Sequence, residues 1–355
     1  MKYSLIEFDT SIQKLEFYID GIIKHRKLFK DIREYEKSNG LLDQIFIDEV
    51  KDLLDESVRL SNKVFEYNSI IISLYGILEN FIESLIKEYI QFLNGSIPKY
   101  NDLPQEIKKN HYEFSANLIN NLKLPKYKDI TTKELIVSNL YSCSNCLGMK
   151  EYKINLDAFT HHTSNFRSQS VNEIFKNVGL SNVTSSILRN KNFKIYMEEE
   201  GIESGEEFST LNDLAERRNR ISHGSEESDI LDIVELIRYI KYIKKFSHSL
   251  NFVIYEHLAE QLVVYGDNLL NLGKPIKKFA SKIAGIEVHG KKVTLNDDVI
   301  ILKEDRSCTV SKIISMQIDG IDYPEIDTTT EKYQIGVVFD CNISENFTFY
   351  LLNEK

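Results

Sequence analysis

Apolar residues recur at spacings of three and four along most of the first 265 residues, and few glycines or prolines interrupt them. This spacing is typical of amphipathic helices that bury one face. The clearest apolar stripe comprises Leu74, Leu78, Phe81, Leu85 and Tyr89. Its helix is predicted to end near residues 94–95, because glycine accepts the left-handed backbone of a helix end. Residues 10–65 show a similar but more charged pattern, which predicts helices laid against the outside of this core.

Two further helices are predicted to meet at a tight corner. The first covers about residues 206–222, and Gly224 provides a stop directly after it. Ser225 or Ser228 then caps a second, long helix, which has acidic residues in its first turn. His223 therefore lies on the corner between two helices.

The hydrophobic pattern changes to that of short β-strands after about residue 283. The predicted strands are 293–295, 299–302, 310–318, 335–339 and 347–351. They are rich in β-branched and aromatic residues and are separated by turn residues. A small closed barrel is expected, because closure removes the exposed edges of a sheet.

The predicted fold class is α+β, with a mainly α-helical bundle followed by a small C-terminal β-barrel. Three parts are expected: an N-terminal helical extension over 1–65, a helical domain over 66–268, and a linker with the barrel over 269–355. Residues 273–275, with the sequence GKP, are interpreted as the hinge before the strands.

Composition restricts where the protein works and what it can bind. There is no uninterrupted run of about 18 uncharged apolar residues, and acidic residues follow the N-terminal methionine closely, so we expect no membrane span and no export signal. Four cysteines in 355 residues provide no disulfide framework, which favours the cytoplasm. The formal net charge of −10 repels phosphate, so any nucleic acid must be bound by a local basic patch.

Arg218 and His223 are the candidate reacting pair. Cleavage of RNA without a metal needs a base for the 2′-hydroxyl and a cation for the charge that develops at phosphorus, and histidine and arginine suit these roles. On a straight helix, five positions separate the two side chains by about 140°. Spacing alone permits a joint site if the helix ends at Gly224. An alternative is that both residues only compensate the helix dipole.

Residues 218–224, with the sequence RNRISHG, resemble the Arg-(Asn/Asp/His)-x-x-x-His signature of the HEPN superfamily. Two further stretches resemble its RiboL-PSP-type branch: YGILENF at 75–81, and HTSNFR at 162–167 followed by IFKNVGL at 174–180. The resemblance covers about 60–265. It implies a helical bundle that forms a homodimer, with Arg218, Asn219 and His223 as catalytic residues in a cleft shared by the two copies.

The same resemblance implies a metal-independent endoribonuclease that leaves 2′,3′-cyclic phosphate and 5′-hydroxyl ends. It also implies a toxin or phage-defence effector of a prokaryote, with transfer RNA as one possible target and an antitoxin or defence-system protein as a possible partner. The alternative from another class is a non-catalytic HEPN adaptor or sensor.

The C-terminal strands are similar to the second domain of elongation factor Tu. The matching segments are 290–293, 297–301, 310–316 and 333–339. This similarity implies a barrel fold with contacts to RNA or protein. It leaves open a third reading, a translation-associated RNA-binding protein.

Basic side chains near the motif and near the strands are the candidate RNA contacts. These are Arg217, Arg220, Arg238, Lys241, Lys245, Lys274, Lys277 and Lys278. Such clusters are often only solvated surface, but in an acidic protein they are the best candidates for an RNA path.

No metal or cofactor is predicted. Cys143, Cys146, His161 and His162 offer four possible zinc ligands, but adjacent histidines are an unusual second half of such a site. The polar run that contains His162, Asn165 and Arg167 is interpreted either as part of the cleft or as a cap for the following helix.

Overall fold

The structure, a computed structural model, describes residues 2–39, 48–49, 52–53, 60–127, 130–144, 151–162, 164–224 and 229–352. Helices occupy this part of the chain up to residue 265 and strands follow, which confirms the predicted α+β class. The helices are α1 (Tyr3–Asn39), α2 (Leu60–Ser96), α3 (Gln105–Asn121), α4 (Lys133–Ser144), α5 (Ser168–Lys176), α6 (Val183–Arg189), α7 (Lys191–Glu200), α8 (Ser209–Ser222) and α9 (Ile233–Tyr265).

Helix α2 supplies much of the helical core. Its predicted apolar stripe is buried, with Leu74, Leu78 and Leu85 each fully excluded from solvent. Burial of each such side chain stabilises the fold by about 1.5–3 kcal/mol. The ring of Phe81 lies 4.9 Å from that of Phe8 in α1, so α1 packs against this core as predicted. The helix ends at Ser96, next to the predicted stop.

Within the described residues, 62–96 of α2 are long and apolar enough to cross a membrane by length and composition. However, 50% of the most apolar window is buried inside the protein, as in the core helix of a globular fold. That the protein does not associate with a membrane therefore stays a prediction.

In the described residues, ten strands follow α9. They are β1 (Leu269–Gly273), β2 (Lys277–Ala280), β3 (Ile283–Val288), β4 (Lys292–Thr294), β5 (Asp298–Leu302), β6 (Cys308–Ile318), β7 (Ile321–Asp322), β8 (Glu325–Asp327), β9 (Tyr333–Phe339) and β10 (Thr348–Leu352). The antiparallel main sheet has the order β1-β10-β5-β6-β9-β3-β2, β7 pairs with β6, and β4 pairs with β8.

The main sheet curls into a half-barrel around a core that includes Ile301, Val337 and Phe349. Full closure was the wrong expectation, because β1 and β2 remain at the two edges of the described sheet. Gly273 ends β1 and residues 274–276 lead into β2; the hinge at 273–275 stays a prediction.

The chain forms two compact units that do not follow chain order. One comprises 1–86, 162–175 and 181–251, and the other comprises 87–161, 176–180 and 252–355. Helix α2 also runs across the predicted boundary at residue 65. The division at 65 and 268 stays a prediction. The RNRISHG motif belongs to the first unit.

A fully buried histidine makes the stability of the second unit sensitive to acid. His111 accepts a hydrogen bond at Nε2 from the backbone N–H of Asn155 (2.9 Å), and its ring stacks on that of Phe159. Desolvation lowers the pKa of His111 from 6.5 to about 4. The folded state therefore keeps this imidazole neutral at pH values where the unfolded chain binds a proton.

We expect the free energy of unfolding to fall by up to about 3 kcal/mol from this group as the pH drops from 6.5 towards 4. Urea titrations across this range measure the effect. His111→Gln retains an acceptor but takes up no proton, so its pH dependence should be flatter. Equal pH dependence in the two proteins would contradict this assignment.

Candidate active site

Helix α8 ends at the predicted corner. The backbone N–H of His223 donates to the carbonyl oxygen of Asn219 (3.1 Å), and that of Gly224 donates to Ile221 (3.1 Å). Gly224 has a φ of +69°, a left-handed conformation that glycine adopts without steric cost. The predicted end of the helix is confirmed, and it leaves the His223 side chain exposed.

Arg218 lies one turn earlier and is held from two sides. Its Nη1 donates to Oδ1 of Asn165 (3.1 Å). Its Cζ lies 5.0 Å from the ring centroid of Tyr75, within the range of a cation–π interaction. The residue is half-buried, and its hydrogen bond to Asn165 fixes one edge of the planar guanidinium.

Tyr75 orders the surroundings of Arg218. Its hydroxyl oxygen accepts a hydrogen bond from the backbone N–H of Phe166 (2.9 Å) and lies 3.4 Å from Oδ1 of Asn165. Burial raises the pKa of Tyr75 to about 12. The hydroxyl therefore stays protonated at neutral pH, and Tyr75 acts as support rather than as a base.

The structure does not join Arg218 to His223 within one chain. Among the described residues, no hydrogen bond connects the two side chains, and Arg218 bonds to Asn165 instead. The helical spacing of about 140° accounts for this separation. Asn219 and Arg220 are half-buried between them on α8. A joint action of Arg218 and His223 stays a prediction.

A segment before α5 connects α2 to α8. Arg167 forms an ion pair with Glu216, and Oδ1 of Asn212 accepts the backbone N–H of Ser168 (2.9 Å) at the start of α5. Asn165 of the same segment contacts Arg218. We call residues 164–168 the bridging segment.

Next to this segment, His162 is bound by two glutamates of α2. Its Nε2 lies 3.0 Å from Oε1 of Glu83 and 3.2 Å from Oε1 of Glu79. Burial alone would lower the pKa of His162, but the hydrogen bonds to Glu79 and Glu83 outweigh it and raise the pKa to about 9. Sequence reasoning missed both glutamates. Their only local signal is the four-residue spacing that places them on one helix face.

A family model matches the part of the chain that carries this site. The model of the RiboL-PSP-HEPN domain matches residues 47–256, more than half of the chain. The chain belongs to the RiboL-PSP-HEPN family. HEPN membership connects the protein with RNA-related and nuclease functions in general. A comparison with curated proteins finds no significant match. The similarity of the half-barrel to elongation factor Tu stays a prediction.

Arg217, directly before the HEPN motif, has a structural role. This burial corrects the prediction that Arg217 contacts RNA. The side chain is buried and bonds to Tyr67, Asp213 and Asp229. The distances from its nitrogens to these oxygens are 2.9, 2.5 and 2.8 Å. These bonds tie α2, α8 and the chain before α9 together, so the guanidinium is engaged inside the fold.

Arg217→Met should lower the free energy of unfolding by about 2 kcal/mol, because it removes several charge-assisted hydrogen bonds around a buried guanidinium. Asp229 is exposed, which keeps the loss below that of a fully buried pair. Urea denaturation measures the effect. Arg238→Met, on the exposed face of α9, is the control and should change stability by less than about 0.5 kcal/mol. Equal stability of the two variants would contradict the structural role.

The remaining basic candidates lie at the surface of their own units. Arg238 and Lys245 are exposed on α9, whereas Lys241 pairs with Glu200. Lys274 and Lys277 are exposed beside β2, and Lys278 is half-exposed. Their contacts with RNA stay predictions.

The structure describes three of the four residues that were considered as zinc ligands, namely Cys143, His161 and His162. The thiol of Cys143 is buried and donates to the carbonyl oxygen of Lys153 (3.3 Å). His162 bonds to the α2 glutamates, and Cys146 lies outside the described residues. The preference against zinc at these four residues stays a prediction.

Proposed function

We propose that this HEPN protein is a metal-independent endoribonuclease in which Arg218 and His223 carry the reaction and Asn219 assists. The observation that supports it best is the fixed guanidinium of Arg218. Asn165 takes one N–H of Arg218, while arginine has five N–H donors in a planar fork that matches phosphate oxygens. A half-buried, oriented cation of this kind can stabilise negative charge that develops on a phosphate.

The proposed reaction uses the exposed imidazole of His223 as the base. It removes the proton from a ribose 2′-hydroxyl, the 2′-oxygen bonds to phosphorus, and the bond from phosphorus to the 5′-oxygen breaks. A protonated group then supplies a proton to the leaving 5′-oxygen. The products are a 2′,3′-cyclic phosphate and a 5′-hydroxyl. Histidine suits both proton transfers because it exchanges protons near neutral pH.

A homodimer would supply both histidines, one as base and one as acid. Large apolar side chains are exposed on α2, where Phe65 is 70% exposed and Ile72 lies two turns later on the same face. The hydroxyl of Tyr67 bonds to Arg217, so this part of α2 lies beside α8. Exposed apolar surface near the start of α2 favours a partner copy. Phe65→Glu should therefore convert a dimer into a monomer in light scattering.

The proposed setting is a cytoplasmic toxin or defence effector, with transfer RNA or another structured RNA as target and an antitoxin or defence-system protein as a restraint. The deciding experiment is incubation of full-length protein with transfer RNA and with single-stranded RNA in excess EDTA. We expect internal cleavage with 5′-hydroxyl ends. Binding of RNA without cleavage would favour the non-catalytic HEPN adaptor, and cleavage that requires added Mg²⁺ would refute the mechanism.

We also propose that the lysines beside β2 contact the RNA backbone. Replacing Lys274, Lys277 and Lys278 with glutamine should weaken RNA binding and flatten the plot of log affinity against log salt by about 2, at about 0.7 per lost single-strand phosphate contact. Fluorescence anisotropy at several salt concentrations measures the slope. The control replaces Lys292 and Lys332, which already pair with Glu325 and Glu287. An unchanged slope in the triple variant would make the half-barrel a better candidate for protein docking.

A further inference from the structure

His162, Glu79 and Glu83 form a compact group of three possible metal ligands. The glutamates lie one turn apart on α2, and the imidazole of His162, which precedes the bridging segment, approaches both. All three side chains are shielded, with 16%, 28% and 11% exposure. Buried carboxylates are stable beside a cation; without a metal ion the imidazolium of His162 fills this role, and a bound ion would replace its Nε2 proton.

The spacing of these atoms fits a metal ion. Zinc binds imidazole nitrogen and carboxylate oxygen at about 2.0–2.2 Å, so neighbouring ligand atoms in a tetrahedral or octahedral shell are about 2.8–3.6 Å apart. Nε2 of His162 lies 3.0 and 3.2 Å from the two glutamate oxygens. The three ligand atoms all lie within 4.8 Å of one another. Small side-chain shifts therefore suffice to surround one ion.

The other side of the imidazole is also arranged as in metal sites. Nδ1 of His162 donates to the carbonyl oxygen of Ser164 (3.0 Å), which leaves Nε2 to face the carboxylates. A backbone carbonyl on the second ring nitrogen is the usual device that orients a metal-binding histidine. The ring of Phe166 lies 4.3 Å from the imidazole at a tilt of 47° and limits its movement.

We propose that Glu79, Glu83 and His162 bind a divalent transition-metal ion, best fitted by Zn²⁺, which fastens the bridging segment to α2. The mixed set of one imidazole and two carboxylates favours Zn²⁺ over Mg²⁺ or Ca²⁺, because the latter prefer shells of oxygen alone. Three protein ligands leave room for water on the ion.

The site has a consequence for Arg218. The bridging segment provides Asn165, which accepts from Arg218, and Phe166, which donates to Tyr75. An ion that fixes His162 therefore restricts the residues that orient the motif arginine. This consequence rests on the proposed function, whereas metal binding itself does not. The proposed cleavage chemistry does not use the ion.

Calorimetric titration of Zn²⁺ into chelator-treated full-length protein, without RNA, tests the site. We expect one saturable site that Glu79→Gln and His162→Gln each weaken at least tenfold. His248→Gln is the matched control, because His248 contacts one carboxylate, that of Asp9 (2.7 Å). Binding that is absent in wild type, or equal in all variants, would overturn the proposal. If His162→Gln does not fold, the isosteric Glu79→Gln variant alone decides.

Hydrogen exchange tests the fastening of the bridging segment. Saturating Zn²⁺ should slow exchange of the 164–168 amides several-fold in wild type, with the Phe166 N–H as the central reporter, and should leave Glu79→Gln unchanged. Unaltered exchange in zinc-saturated wild type would refute the fastening. No RNA is present in either measurement, so their failure is distinct from failure of the ribonuclease proposal.

Discussion

His223→Ala is expected to reduce RNA cleavage by about 10²–10⁴-fold, the usual contribution of a positioned acid–base group. The His223 side chain is exposed at the end of α8 and is therefore accessible to a substrate. Its backbone N–H makes the hydrogen bonds that end the helix, and alanine retains them. The fold should therefore survive the change.

Measurement of both cleavage rate and melting temperature separates two roles of His223. If the side chain only compensates the helix dipole, stability falls by about 0.3–1 kcal/mol and the cleavage rate stays that of wild type. If it transfers protons, cleavage falls and stability changes little. His248→Ala is the control, since His248 is also an exposed histidine of the same compact unit. Wild-type cleavage by His223→Ala would remove this residue from the mechanism.

Arg218→Ala should lower the cleavage rate by about 10²–10³-fold, which corresponds to loss of one donor that stabilises transition-state charge. Arg218→Lys should recover only part of the rate, because an ammonium cannot contact two phosphate oxygens in the plane of the guanidinium. Single-turnover cleavage measures the chemical step. Arg33→Ala, on the exposed face of α1, is the control for loss of one positive charge.

Asn165→Ala tests the orientation of Arg218 separately from its charge. The variant removes the acceptor that lies 3.1 Å from Nη1 of Arg218 and leaves the cation in place. We expect a smaller loss of rate than in Arg218→Ala. A rate for Arg218→Ala equal to that of wild type would contradict the proposed chemistry, whatever the result for Asn165.

Arg217, directly before the motif, and Arg218, its first residue, should respond in opposite ways. Arg217 is buried among Tyr67, Asp213 and Asp229, so its replacement should cost stability. Arg218 is only half-buried, so its replacement should cost activity. Combined measurements of unfolding and cleavage on both variants therefore test the division between structural support and chemistry at this corner.

Local sequence determined the class of the fold and the elements that carry the motif. The period of apolar residues predicted α2, and the glycine after His223 predicted the end of α8, because backbone conformation depends mainly on neighbouring residues. The β-rich segments at β5, β6 and β9 were predicted for the same reason. The short, polar strand β2 was missed, because Lys277–Ala280 lacks an apolar alternation and is a strand only through its pairing with β3.

Tertiary packing decided which motif residues are available for chemistry. Arg217 and Arg218 are the same residue type at neighbouring positions. Arg217 bonds to Tyr67, 150 positions away, whereas Arg218 bonds to Asn165, 53 positions away. His162 meets Glu83 across 79 positions. Such contacts depend on how helices pack, which the spacing along one helix does not encode. The open sheet depends on tertiary structure in the same way. Closure of the sheet would require β1 to pair with β2. In the described sheet, β1 instead pairs with β10, and β2 pairs with β3.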